Sequence, residues 1–170
     1  IPPYLRFISG VIDCADIPLT VSREILQENQ VVLSIKKAIK NRIISTLNKL
    51  AKDDIEKFNT FWEAFGPVIK EGIYEDYEKK DDLLKLIRFK SSNIKDGNRS
   101  LEQYIGDMKP NQKSIYFITA EDYQSALANP LLEGYAAREV EVLILTDPID
   151  SFWTATGIKF EDKELKHVSH

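Results

Sequence analysis

Ser114-Ile115-Tyr116-Phe117-Ile118-Thr119 and Val140-Glu141-Val142-Leu143-Ile144-Leu145 are two short runs rich in β-branched and aromatic residues, the composition of buried strands. Helical patterns over 121–128 and 131–138 lie between them, broken at Asn129-Pro130. A strand, about twenty residues of helix and a second strand make a right-handed βαβ unit in a parallel sheet. The pair therefore predicts an α/β chain (α+β layers) with a βαβ unit near its C-terminal end. C-terminal to it, Asp147-Pro148-Ile149-Asp150 opens a short helix holding Phe152 and Trp153, and Ile158-Lys159-Phe160 reads as a last strand before frayed residues.

N-terminal to the pair the period changes from two to between three and four. Val32, Ile35, Ile39, Ile43, Leu47 and Leu50 form the stripe of an amphipathic helix reaching back to Ser22. Asp53 with Glu56 has the spacing of a capping box for a second helix, striped by Ile55, Phe58, Trp62, Phe65 and Ile69 and expected to distort at Gly66-Pro67. A third helix, 81–87, presents Leu83, Leu84 and Ile87, and the three form a small antiparallel bundle. Residues 91–99 are polar and contain Gly97, so they read as the main loop. Ser100 with Gln103 predicts a capped short helix after it. Tyr4 to Ile12 reads as a strand without a preceding partner, in a chain that starts at Ile1 without an initiator methionine, as expected of a piece of a longer protein.

The chain has 170 residues, is 43% hydrophobic and carries a net charge of -4, with an isoelectric point near 5.3. Acidic and basic residues are interspersed, which argues against a general nucleic-acid binder. One cysteine, Cys14, excludes an internal disulfide and sits in an apolar run as a small hydrophobe. No signal peptide or spanning segment is legible, and the reading is of a soluble intracellular protein.

Chemistry-bearing patterns are few. His167 and His170, three apart in a charged terminus without a nearby cysteine, are expected to be solvent-exposed and hold no metal. Asp147 and Asp150 follow a predicted parallel strand, where carboxylates often carry catalysis or Mg²⁺. An Asp before Pro is also a routine helix cap, and capping is the favoured reading. No Walker A loop, dinucleotide fingerprint or nucleophile elbow is present. Neighbours on a helix point about 100° apart, so one member each of Phe61-Trp62 and Phe152-Trp153 is available to a partner unless both are core. Core is the favoured reading for the first pair, and the choice stays open for the second.

Asp16-Ile17-Pro18-Leu19-Thr20-Val21-Ser22-Arg23 is a loop running into a helix at the N-cap Ser22. Arg23 falls in the first turn, where the helix dipole favours anions. Taken locally it is a surface arginine paired with Glu24 or Asp16. A cation there gains more if it meets an external anion such as a phosphate.

Pro3-Tyr4-Leu5-Arg6-Phe7-Ile8-Ser9-Gly10-Val11-Ile12-Asp13 and Ile17-Pro18-Leu19-Thr20-Val21-Ser22-Arg23-Glu24-Ile25-Leu26-Gln27 closely resemble the middle domain of heat-shock protein 90 chaperones. The resemblance continues through Lys70-Glu71-Gly72-Ile73-Tyr74-Glu75-Asp76, Leu86-Ile87-Arg88-Phe89-Lys90-Ser91-Ser92, Ile115-Tyr116-Phe117-Ile118-Thr119 and Thr146-Asp147-Pro148-Ile149-Asp150. It covers nearly the whole chain and is most like the bacterial members, with an organellar form also possible. It implies three parts: residues 1–21 end a larger αβα subdomain and carry a catalytic loop, 22–90 are a helical connector, and 91–170 are a smaller αβα subdomain. It also implies that Arg23 reaches the γ-phosphate of ATP held, with Mg²⁺, by an N-terminal domain. Gln27 supports it, while Thr20 stands where the family commonly has asparagine. The implied partners are that domain, a C-terminal dimerisation domain and unfolded client proteins, in a cytoplasmic homodimer. The fragment alone is expected to bind no cofactor and turn over no ATP. Phe152 and Trp153 fall in a region expected to touch clients. The alternative is a module that binds clients or co-chaperones and has no catalytic part.

Overall fold

A computed structural model describes residues 1–11, 13, 15 and 30–170. Chain order is a 3-10 turn (Pro3–Leu5), α1 (Gln30–Asp53), α2 (Ile55–Glu75), a second 3-10 turn (Tyr77–Lys79), α3 (Lys80–Leu86), β1 (Arg88–Ser91), β2 (Arg99–Ser100), α4 (Leu101–Gly106), β3 (Ile115–Thr119), α5 (Tyr123–Leu127), α6 (Leu131–Ala137), β4 (Val142–Leu145), α7 (Asp150–Trp153), a third 3-10 turn (Thr154–Thr156), β5 (Lys159–Phe160) and β6 (Lys163–His167).

The six strands form one mixed sheet in the order β2-β1-β4-β3-β6-β5. The expected parallel pair lies at its centre, with Phe117 opposite Leu143 and Thr119 opposite Leu145. Period-two alternation divides its side chains between two cores. Ile115, Phe117, Leu143 and Leu145 face the larger one, which they share with Phe58, Ile69 and Ile73 of α2 and with Trp153. Ile118, Val142 and Ile144 face the smaller one, closed by Ala126, Leu132 and Tyr135 of α5 and α6. Helices therefore cover both faces, which is the αβα layering that the family resemblance implies.

The connector matches its stripes with local shifts. On α1 the buried residues are Ile44 and Leu47, with Ile43 and Leu50 packed against them. The cap of α2 is Asp54, whose carboxylate accepts from the Lys57 backbone N–H at 3.2 Å. It is not Asp53, because α1 extends through that residue. The helix stays continuous through Gly66-Pro67. Ser100 and Gln103 form the expected capping box on α4, at 3.1 and 3.0 Å.

Four expectations are corrected. Pro3–Leu5 is a 3-10 turn, and the described residues from Arg6 to Val11 form no strand. Tyr4 and Leu5 are instead buried against the connector. The expected loop 91–99 includes the ends of β1 and β2, an antiparallel pair at the sheet edge. The tail is not frayed. Lys163–His167 is β6, parallel to β3 and hairpinned to β5 through Glu161 and Asp162, both at positive φ (49° and 64°). His167 on that strand is half-buried with its ring 5.5 Å edge-on to Phe117, whereas His170 is exposed. Burial, with His170 nearby, lowers the pKa of His167 below the ordinary value.

Gly72 fixes how the N-terminal turn meets the connector. A Cβ there would lie 2.7 Å from Tyr4 Cδ2 and 2.8 Å from Leu83 Cδ1. The Tyr4 ring cannot swing aside, because it is 1% exposed and its hydroxyl donates to Asp76 Oδ2 at 2.6 Å. Burial, reinforced by Asp76, also pushes the phenol far above its ordinary pKa, so it stays a donor. Gly72→Ala gains about 1 kcal/mol in helix propensity, and overpacking at a rigid site costs about 1–3 kcal/mol. Urea denaturation should show the variant to be net destabilised by about 1 kcal/mol. An equally stable variant would show that the ring yields.

Candidate functional site

The residues with implied nucleotide chemistry, Thr20, Arg23 and Gln27, lie outside the described residues, as does Cys14. The structure does place the carboxylates that follow the central strand. β4 ends at Leu145, and Thr146-Asp147-Pro148-Ile149 turns the chain into α7. The α2 helix passes close by and aims one buried cation at this turn. Lys70 is 4% exposed, one position beyond Ile69 on the buried face and beside Gly66 and Ile73.

Lys70 Nζ lies 2.8 Å from Asp147 Oδ2 and 2.8 Å from Asp150 Oδ1. Asp150 is wholly buried, yet all its neighbours suit a carboxylate. Trp153 Nε1 donates to Oδ1 at 2.8 Å, and the Asp147 backbone N–H donates to Oδ2 at 2.9 Å. The Phe89 ring lies 6.0 Å from the ammonium. A buried charge is tolerated when it is paired and hydrogen-bonded, and here one lysine, two carboxylates, an indole and a main-chain N–H satisfy one another.

This geometry overturns the reading of Asp147 as the cap, while Asp150 does stand in the first turn of α7. The N-cap of α7 is Ile149, with no side-chain cap bond. Asp150 reaches back to the turn while binding across to α2, and Asp147 goes to the same lysine. The cluster has no nucleophile, and no group of His, Cys, Asp and Glu among the described residues could hold a metal ion. Its chemistry is mechanical: it ties the connector to the C-terminal end of the central strand.

The adjacent aromatics separate as helix geometry requires. Trp153 is 0% exposed and completes the cluster, while Phe152, one residue earlier, is 61% exposed. On α2, Trp62 is 9% exposed. Phe61 is partly buried among Phe7, Phe58 and Phe65.

A second buried polar network holds the sheet edge. Arg99 pairs with Glu141 at 2.9 Å and also with Asp107. Ser91 Oγ donates to the same glutamate. Tyr104 OH donates to the Glu141 carbonyl at 2.6 Å and accepts from the Tyr116 N–H. Burial pushes the Tyr104 phenol up to about 12. The sequence reading missed both networks, although a lysine one step from Ile69 on an apolar face is itself a signal that a distant carboxylate must meet it.

No helix among the described residues is long and apolar enough to cross a membrane. A family model described as "Hsp90 protein" matches residues 1–170. The chain is 47% identical to "Chaperone protein HtpG" of Rhizobium etli over 168 residues, covering 99% of this chain and 27% of that protein. It is 47% identical to the protein of the same name from Mesorhizobium japonicum, covering 99% and 27%. Against the one from Nitrobacter winogradskyi it is 48% identical, covering 99% and 26%. The chain spans about a quarter of the length of these curated relatives. The family-model match over residues 1–170 and near one-half identity to bacterial proteins place the chain in the Hsp90 family, of the bacterial type.

Proposed function

We propose that this chain is the middle segment of an ATP-dependent chaperone and supplies one side of a divided ATPase site. The observation that carries the reading is the match of the whole chain to a family whose bacterial members, named as chaperones, are nearly four times its length. Arg23 then serves a phosphate held by another domain. The sequence pattern sets it just after the N-cap residue Ser22, where local electrostatics is poor for a cation, and this supports that outward role. The guanidinium is permanently charged and matches phosphate oxygens in a forked contact. Gln27 stands four residues on, the spacing at which a helix would bring it beside the arginine to support it. Thr20 offers a hydroxyl in the preceding loop.

ATP and Mg²⁺ belong to the N-terminal domain in this reading, and a C-terminal domain makes the homodimer. The protein works in the bacterial cytoplasm on unfolded or partly folded clients. The direct test is ATP turnover by the full-length protein with and without Arg23.

Client contact falls to Phe152, since its neighbour Trp153 is wholly buried. An exposed aromatic beside a rigid ion-paired turn offers apolar area at small entropic cost. Phe152→Ser should weaken binding of an unfolded client by about 1–2 kcal/mol, roughly five- to thirtyfold by fluorescence anisotropy, with the melting temperature unchanged. Unaltered affinity removes Phe152 from the client surface.

A further inference from the structure

A cavity of about 540 Å³ opens between α1, α3 and the start of α4, within the range of roughly 300–1,000 Å³ usual for small-molecule sites. Lys52, Lys79, Lys85 and Arg88 line it, against the carboxylates of Asp82 and Glu102. Only the Lys79–Asp82 pair comes within ion-pair range, at a long 3.9 Å. Among the described residues Lys52, Lys85 and Arg88 make no ion pair.

Arg88 is the unusual member. It is 8% exposed, and a guanidinium so buried ordinarily carries a carboxylate. Here Nη1 donates to the carbonyls of Lys85 and Ile87 at 2.9 and 3.2 Å. The guanidinium carbon sits 4.7 Å from the Phe58 ring centroid. These contacts orient the fork without neutralising it. Burial lowers its pKa to about 10, only partly opposed by Glu102. Among the described residues no carboxylate lies within ion-pair range of Lys52, Lys85 or Arg88, and the lining holds four cations against two carboxylates.

We propose that this cavity binds a small organic phosphate, with the phosphate among Lys52, Lys85 and Arg88 and the carbon skeleton against Ile44 and Ile55. A phosphate monoester carries about -1.5 to -2 at neutral pH, which balances four cations set against two carboxylates, whereas a monocarboxylate leaves one cation in excess. Ile44 and Ile55 are the isoleucines of the lining, Ile44 buried and Ile55 exposed. Asn48 and Gln103 add polar groups to the lining. The site does not depend on the chemistry proposed for Arg23.

Ribose 5-phosphate titrated into the ¹⁵N-labelled full chain at about 50 mM salt tests this, because charge pairing is only moderately screened there. Saturable amide shifts are expected in the last turns of α1 and around Ser100 to Gln103, with neutral ribose producing none. Lys52 and Lys85 are exposed, so the double variant Lys52→Gln/Lys85→Gln should fold normally and bind about tenfold more weakly. Lys159→Gln/Lys166→Gln, on the distant β5–β6 hairpin, should bind as the parent does. The proposal is overturned if the shifts fail to saturate, if ribose alone reproduces them, or if the two double variants lose affinity equally.

Discussion

Arg23→Ala in the full-length protein is expected to lower ATP turnover about 100-fold, equivalent to roughly 2.7 kcal/mol of transition-state stabilisation. The size follows from the proposed role. An arginine contributing from outside the nucleotide-holding domain meets charge that spreads over the phosphoryl oxygens as the bond breaks, so its effect belongs to turnover. Nucleotide affinity should change little if, as proposed, most binding contacts lie in the other domain. Arg23→Lys sharpens the test. It keeps the charge but loses the planar fork, and should recover only part of the lost rate. If the arginine acts only as a general positive patch, lysine restores turnover fully. The isolated 170-residue chain should show no turnover at all, with or without Arg23. Unchanged steady-state turnover in the full-length Arg23→Ala protein would remove Arg23 from the site.

Where burial follows composition, the fold was legible in the sequence. β3 and β4 are runs in which nearly every residue prefers a pleated, half-buried surface, and both lie at the sheet centre. The capping box at Ser100 was equally clear, since both partners lie within one turn. β1 and β6 were not legible. Arg88-Phe89-Lys90-Ser91 and Lys163-Glu164-Leu165-Lys166-His167 each hold a single strong apolar residue. They become strands because β4 and β3 present open edges to them. Tyr4 and Leu5 erred the other way. Their apolar character suits a strand, but the space beside Gly72 takes a ring and a turn. At the candidate site the carboxylates at 147 and 150 were noticed, and their role was misjudged. Their partner, Lys70, is 77 residues away from Asp147, and no local rule connects the two.

Lys70 should therefore be among the least replaceable residues of the described structure. Lys70→Ala removes the one cation that pairs with Asp150 among the described residues, and the Asp150 carboxylate is wholly buried. Removing one partner of such a pair typically costs about 3–5 kcal/mol, because the remaining charge has neither water nor a counterion. Asp147 loses less, since its side chain is 37% exposed and can return to solvent. For a chain of this size about 2–4 °C accompanies each kcal/mol, so the melting temperature should fall by roughly 10 °C. Trp153 is a built-in reporter, because its indole N–H is held by the affected carboxylate. Lys70→Met distinguishes charge from volume. It restores most of the buried stem, so it should remain within about 1 kcal/mol of Lys70→Ala if the stranded carboxylate dominates, and should recover well over half the loss if the cavity does. Asp150→Asn in the Lys70→Met background removes that charge, but its amide group faces a donor where the carboxylate accepted two. Recovery should be partial, with a coupling of about 1–3 kcal/mol between the two positions in a double-mutant cycle. Additive losses would mean that Lys70 and Asp150 act independently, and the cluster would then not be the tie between the connector and the sheet.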